Sequence, residues 1–195
     1  MNKRCVAFTK EEYEKCIQLL HNGFRLPSGV VVKPNERIAV ICQIEAVLGV
    51  RLGDVLNLKL ESFIRDGDNY RLDIIEQKTR KHRRFTVPTA VYSFIQDYAL
   101  NNGISRGVKL FPISSRQVER HLNKVFEKMS LPICNYGSHS FRKFFASRVY
   151  IENGYDVELV RILLQHSNVS ITQRYLGVSQ KAVEDAIAKT VAYLV

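Results

Sequence analysis

Apolar residues recur at intervals of three and four over most of this chain, and at intervals of two in one short stretch. The first helical run follows Thr9-Lys10-Glu11-Glu12, a capping-box pattern, and places Tyr13, Ile17 and Leu20 on one stripe before Gly23. After a turn-rich Leu26-Pro27-Ser28-Gly29 and a partly packed Val30-Val31-Val32, a second helix is predicted from Pro34-Asn35-Glu36. Ile38, Ile41, Ile44, Val47 and Leu48 form its buried side, and Gly49 stops it. Leu52, Val55 and Leu56 then face the core, with Arg51 and Asp54 three apart, the spacing of neighbours on one helical face.

The period-two stretch lies in the middle. Leu60 to Ile64 is predicted as a strand, Asp66-Gly67-Asp68-Asn69 as a turn, and Tyr70, Leu72 and Ile74 alternate with Arg71 and Asp73 as a half-buried strand. A third strand, Arg84 to Val87, ends at Pro88, and Lys78 to Arg83 forms a cationic hairpin loop. The rest reads as helices. One is capped by Thr89 and carries Val91, Phe94, Ile95 and Tyr98. The next, opened by the capping box Ser114–Gln117, buries Val118, Leu122, Val125, Phe126 and Met129. Another starts at Ser138 or His139. A fourth is capped by Asp156, a short one by Ser170, and a last one runs from Ser179 to Leu194. The expected architecture is a single mainly α domain over residues 1–195 with a small three-stranded antiparallel β-sheet.

Composition narrows the function. The 195 residues are 46% hydrophobic, enough for a packed core, and 29 Lys+Arg against 19 Asp+Glu give a net charge of +10. That balance favours a polyanionic partner, of which nucleic acid is the commonest. Arg116, Arg120 and Lys124 repeat at i,i+4 on a face that could run along a phosphate backbone, and the hairpin adds Arg80, Lys81, Arg83 and Arg84. The four cysteines are scattered and form no C-x-x-C pair, so a zinc site is not expected, and Cys16 and Cys42 read as reduced core thiols. No window approaches a membrane span, and a soluble protein of a reducing cytoplasm is expected.

The chemistry concentrates between His139 and Tyr175. His139-Ser140-Phe141-Arg142, Leu164-Gln165-His166 and Arg174-Tyr175 set histidines, an arginine and a tyrosine at helical or near-helical spacing. A phosphodiester cut without a metal needs fixed cations on the non-bridging oxygens, a nucleophile, and an acid for the leaving oxygen. Arginine matches phosphate bidentately and stays charged. A tyrosine of pKa near 10 is only about 0.1% ionised at pH 7, and cations favour that form.

Four separated motifs carry a family resemblance. Gly49-Val50-Arg51-Leu52-Gly53-Asp54-Val55-Leu56-Asn57-Leu58 resembles the first arginine box of the tyrosine recombinases, or phage integrases. Gln77-Lys78-Thr79-Arg80-Lys81 is similar to their β-hairpin lysine motif, His139 to Arg142 to their H-x-x-R, and Leu164-Gln165-His166 with Tyr175 nine residues on to their L-G-H…Y ending. The resemblance implies the catalytic-domain fold of these DNA breaking–rejoining enzymes. It also implies that Arg51 and Arg142 clamp the scissile phosphate, His166 donates to it, Lys78 protonates the departing 5′-oxygen and His139 assists proton transfer. Tyr175 is the implied nucleophile, forming a 3′-phosphotyrosyl link, and Asp54 supports Arg51 or a neighbour. No cofactor or metal is implied, and four protomers would act on double-stranded DNA to integrate, excise or invert a segment.

Gln165 stands where the family has glycine, and its side chain is expected to crowd the turn before His166. The core-binding domain that precedes the catalytic domain in most members is expected to be missing here, making the chain a naturally short recombinase or a fragment. The final helix is expected to pack on a neighbouring protomer or fold back on its own domain. A DNA-binding accessory protein without catalysis and a type IB topoisomerase are the rival readings.

Overall fold

Asn35 opens and Gly49 closes the helix against which much of the first part of the chain is built. The computed structural model describes residues 5–177 and 187–193, in two compact units, Met1–Arg148 and Val149–Val195. In the first, α1 (Lys10–Asn22) has the expected capping box at Thr9 and Glu12. It is followed by β1 (Phe24–Arg25) and β2 (Val31–Val32), which pair antiparallel. This second, two-stranded sheet was not expected: the valine run was read as a connection, and two-residue strands leave too little alternation to detect. Val32 is buried, whereas Val30 and Val31 are exposed.

Helix α2 (Glu36–Leu48) is capped by the Asn35 side chain, which accepts from Ile38 N at 3.2 Å. From Ile38 on it is buried on nearly every side, apart from Val47, which the periodicity places in the core and which keeps 47% of its surface. Gly49 ends it in the left-handed conformation, φ +57°, and its amide donates to Glu45 O at 3.0 Å. A side chain there would also collide with the Phe145 ring, 2.3 Å from the position of a Cβ.

A short α3 (Leu52–Val55) is followed by a 3₁₀ turn at Leu60–Ser62, where a strand was expected. The strand begins only at Phe63, because Ser62 Oγ accepts the Lys59 amide and closes the turn. β3 (Phe63–Asp66), β4 (Asn69–Ile75) and β5 (His82–Val87) form the expected antiparallel sheet in the order β3-β4-β5, with Phe63 opposite Leu72 and Leu72 opposite Phe85. The tyrosine pair Tyr70 and Tyr92 stacks at 3.6 Å, joining the sheet to α4 (Thr89–Asn101). Thr89 does not cap α4. Pro88 holds that position, and the Thr89 hydroxyl donates instead to Asp68 O in the β3–β4 turn.

Helix α5 (Ser115–Lys128) has the expected capping box at Ser114 and buries Val118, Leu122, Val125 and Phe126. α6 (His139–Glu152) begins in the first unit, where Phe141 packs on Phe8 at 4.8 Å and Phe144 stacks on Tyr13 at 4.5 Å. Cys16 and Cys42 are free and buried, and burial pushes the Cys16 thiol up to about 12.

The second unit contains α7 (Val157–Leu164) and α8 (Val169–Leu176). Asp156 caps α7 as expected, but α8 is capped by Asn168, whose Oδ1 accepts from Ile171 N. Ser170 lies inside the helix and donates to that same Asn168 oxygen. Of the last predicted helix, 179–186 and 194 lie outside the described residues; 187–190 are helical and Val191–Tyr193 form a 3₁₀ turn.

Gly49→Ala would force a left-handed alanine into the Phe145 ring. The expected destabilisation is about 3 kcal/mol, the sum of left-handed strain and overpacking, measured as a lowered denaturant midpoint with an unchanged slope.

Candidate active site

Arg51 occupies the N-cap position of α3, directly after the turn at Gly49. Its expected partner on that helix, Asp54, does not receive it. The guanidinium reaches across to the end of β4, where Arg51 Nη1 donates to Glu76 Oε2 at 2.5 Å. Asp54 is buried and accepts the Gln77 amide at 2.8 Å, so it holds the hairpin that carries Lys78. A helical i,i+3 pairing could not form because Arg51 is extended, with ψ 150°.

Glu76 is fully buried and stands at the centre of this part. Oε2 also accepts from the Thr79 hydroxyl at 2.7 Å, and Oε1 accepts from Arg83 at 3.1 Å. Burial alone would raise its pKa, but Thr79, Arg51 and Arg83 outweigh that and hold it below the usual carboxylate value. The backbone of Glu76 closes the hairpin as well, donating to Lys81 O at 3.0 Å and accepting from Arg80 N at 2.9 Å.

Arg83 was expected on the cationic hairpin surface and is instead 1% exposed. It belongs to β5, where strand alternation turns it inward. Its other nitrogen donates to Leu48 O and Gly49 O at 3.2 Å each, and its guanidinium lies 5.0 Å from the Phe85 ring. Lys78, Arg80 and Lys81 are exposed, and Arg84, also exposed, pairs with Asp73 at 2.8 Å. Arg116, Arg120 and Lys124 lie on the exposed face of α5.

Arg142, 1% exposed, donates to Gly49 O, the carbonyl that also accepts from Arg83. The start of α6 is tied down from α5, with Glu119 Oε1 accepting the Ser138 amide at 3.2 Å. His139 is exposed as a residue, yet its pKa is lowered to about 4. Protein crowding the ring is the largest cause, and Arg142, Lys143, Arg51 and Lys78 follow in that order. Arg51, Lys78 and the His139–Arg142 turn, three segments far apart in sequence, therefore share one electropositive region of the first unit. Glu45 on α2 adds little negative charge there, since burial and then Glu119 push its carboxyl well up.

In the second unit, α7 ends at Gln165 in the left-handed conformation, φ 55° and ψ 39°. The residue expected to crowd that turn thus sits where backbone sterics favour glycine. The His166 amide donates to Arg161 O at 3.0 Å, and Arg161 returns a bond to His166 O at 3.0 Å. His166 Nδ1 lies 3.0 Å from the hydroxyl of the buried Thr172, one turn before Tyr175 on α8. The His166 and Tyr175 rings meet edge to face at 5.2 Å. Sequence reading missed Glu76, Glu119 and Thr172. Glu76 had a signal in hindsight, an acid closing an apolar strand directly before the lysine motif; Thr172 had none.

Known structures share this fold. The XerH site-specific recombinase bound to a palindromic difH substrate aligns with TM-score 0.69 at 17% identity, over 96% of this chain and 54% of that one. The catalytic domain of bacteriophage HP1 integrase aligns with TM-score 0.61 at 18% identity, over 95% of both. The fold is that of a tyrosine recombinase catalytic domain. The profile of the phage integrase family matches residues 7–182, and the chain belongs to that family. Among its relatives, the tyrosine recombinase XerC of Caldanaerobacter subterraneus is 26% identical over 194 residues, covering 94% of this chain and 50% of the relative. The probable integrase/recombinase YoeC of Bacillus subtilis is 30% identical over 142 residues, covering 70% and 75%. The chain spans about half the length of several relatives it matches. Among the described residues, no helix is long and apolar enough to cross a membrane.

The lowered pKa of His139 has a consequence for acid. Its folded value of about 4 lies below the ordinary 6.5. The neutral ring's contribution to stability is thus complete above the unfolded value and is lost as pH falls toward the folded one. The ring signals of His139 should stay unchanged by NMR from about pH 8 down to about pH 5.5. A midpoint above 6 would contradict the burial of the ring and the cations beside it.

Proposed function

We propose that this chain is the catalytic domain of a site-specific DNA recombinase acting through a tyrosine nucleophile. The observation that carries the reading is the shared electropositive region of Arg51, Lys78, His139 and Arg142. Arg51 and Arg83 pair with one buried carboxylate, Glu76, while Arg142 is held at Gly49 O. The excess positive charge suits a phosphodiester. Guanidinium groups fixed by protein bonds stabilise developing charge on phosphate oxygens without reorganising.

In this reading Arg51 and Arg142 hold the non-bridging oxygens and His166 donates a further hydrogen bond to the phosphate. Its Nδ1 is engaged at Thr172, which orients the ring. The Tyr175 oxygen attacks phosphorus as its proton leaves. The bond from phosphorus to the 5′-oxygen breaks, and Lys78 donates a proton to that oxygen. His139, neutral at physiological pH, is suited to accept or relay a proton rather than to supply one. The products are a 3′-phosphotyrosyl ester and a free 5′-hydroxyl. Attack by a partner strand's hydroxyl on the ester reverses the step and regenerates Tyr175. The ester conserves the phosphodiester's energy, so the cycle consumes no nucleotide. Double-stranded DNA is the substrate, self-association as a tetramer on it completes strand exchange, and the setting is the cytoplasm. Arg116, Arg120, Lys124, Arg80, Lys81 and Arg84 lie along the duplex backbone, while Arg83 serves inside the fold.

A pool of nicked duplexes with randomised arms tests this directly. The wild-type chain should yield a denaturation-resistant protein–DNA adduct, and Tyr175→Phe should abolish it while duplex binding stays within about threefold. Adduct formed by Tyr175→Phe would remove Tyr175 from the role; salt-sensitive binding without any adduct would favour an accessory DNA-binding protein. For the helix face, Arg116→Ala and Arg120→Ala should each lower the slope of log affinity against log salt by about 0.9. Measured by fluorescence anisotropy, unchanged slopes would move the DNA to another face.

A further inference from the structure

We infer that Glu76 is a positioning residue of the strand-cleavage site, setting Arg51 and the Lys78 loop in register through one carboxylate; this rests on the recombinase reading above. A single oxygen, Oε2, accepts from both Arg51 Nη1 at 2.5 Å and Thr79 Oγ1 at 2.7 Å. Thr79 is the residue after Lys78. The same atom therefore links the guanidinium that would neutralise the phosphate to the loop whose ammonium would protonate the leaving 5′-oxygen. The other oxygen, Oε1, is held by Arg83, itself anchored to the Leu48 and Gly49 carbonyls. Because Gly49 O also accepts from Arg142, the chain of contacts runs from Lys78's neighbour through Glu76 and Arg83 to the second clamp arginine.

Simple stabilisation does not account for this arrangement. A fully buried carboxylate is costly to desolvate, and an apolar side chain of similar volume commonly does as well for stability. What an apolar residue could not do is hold a cation and a loop hydroxyl at a fixed separation. Displacing a catalytic group by about 1 Å costs on the order of 100-fold in rate, so such a link is worth its burial only where alignment matters. Glu76→Gln keeps the shape but turns one end into a donor, facing groups that are themselves donors. Glu76→Asp keeps the charge and shortens the reach by one methylene.

The test uses the full chain and a nicked duplex recovered from the adduct selection, with oxygen or sulfur at the scissile 5′ bridging position. Sulfur leaves without protonation, so it bypasses the lysine. On the oxygen substrate, Glu76→Gln should cleave about 100-fold more slowly at unchanged duplex affinity. The defect should be several-fold smaller on the sulfur substrate, and Glu76→Asp should recover part of the rate. Without DNA, phenylglyoxal should modify Arg51 several-fold faster in Glu76→Gln, read by mass spectrometry. A Glu76→Gln chain that cleaves within threefold of wild type overturns the assignment alone. So do equal losses on both substrates with unchanged Arg51 reactivity, which would mark a purely structural role. A wild-type chain that forms no adduct overturns the recombinase reading and this assignment with it.

Discussion

Two buried arginines converge on the carbonyl end of one hydrophobic helix, and the first unit depends on that meeting. Helix α2 ends with the left-handed Gly49, and its last carbonyls point away from the helix without intrahelical partners. Such an end carries about half a negative charge. Arg83 and Arg142 both donate to Gly49 O, and Arg83 reaches Leu48 O as well. Burying a guanidinium is costly, and the carbonyls of that helix end offset part of the cost for both cations. Phe145 packed against Gly49 leaves no side chain but hydrogen at the position.

From that anchor the electrostatics follow. Arg83 fixes one oxygen of Glu76, and the other fixes Arg51 and the hairpin. Asp54 holds the next amide of the same hairpin. Burial first, and then the cations Arg142, Lys143, Arg51 and Lys78, hold the pKa of His139 low. The second unit reaches order by separate means. Asp156 and Asn168 cap its helices, Arg161 ties down the end of α7, and Thr172 engages the His166 ring. Rigid placement of charged groups before any ligand arrives is what electrostatic catalysis of phosphoryl chemistry demands.

Much of the scaffold was legible along the chain because its signals are local. Capping boxes at Thr9 and Ser114, the cap at Asp156, the apolar stripe of α5 and the alternation of β4 each involve neighbours within a few residues. The departures have different causes. A distant contact draws Thr89 from capping to the Asp68 carbonyl, the adjacent Asn168 caps in place of Ser170, and Val47, despite its helical spacing, stays half-exposed.

The sequence by itself determined the mainly helical class, the family, and the residue types able to grip a phosphate, since these reside in spacing and chemistry. Only the tertiary structure decided which charges pair. Arg51 belongs with Glu76 rather than Asp54, and Arg83 with the core rather than the basic hairpin surface. The reason is physical. The fate of a charged side chain depends on the protein that covers it, and desolvation is a property of the folded surroundings, not of adjacent residues.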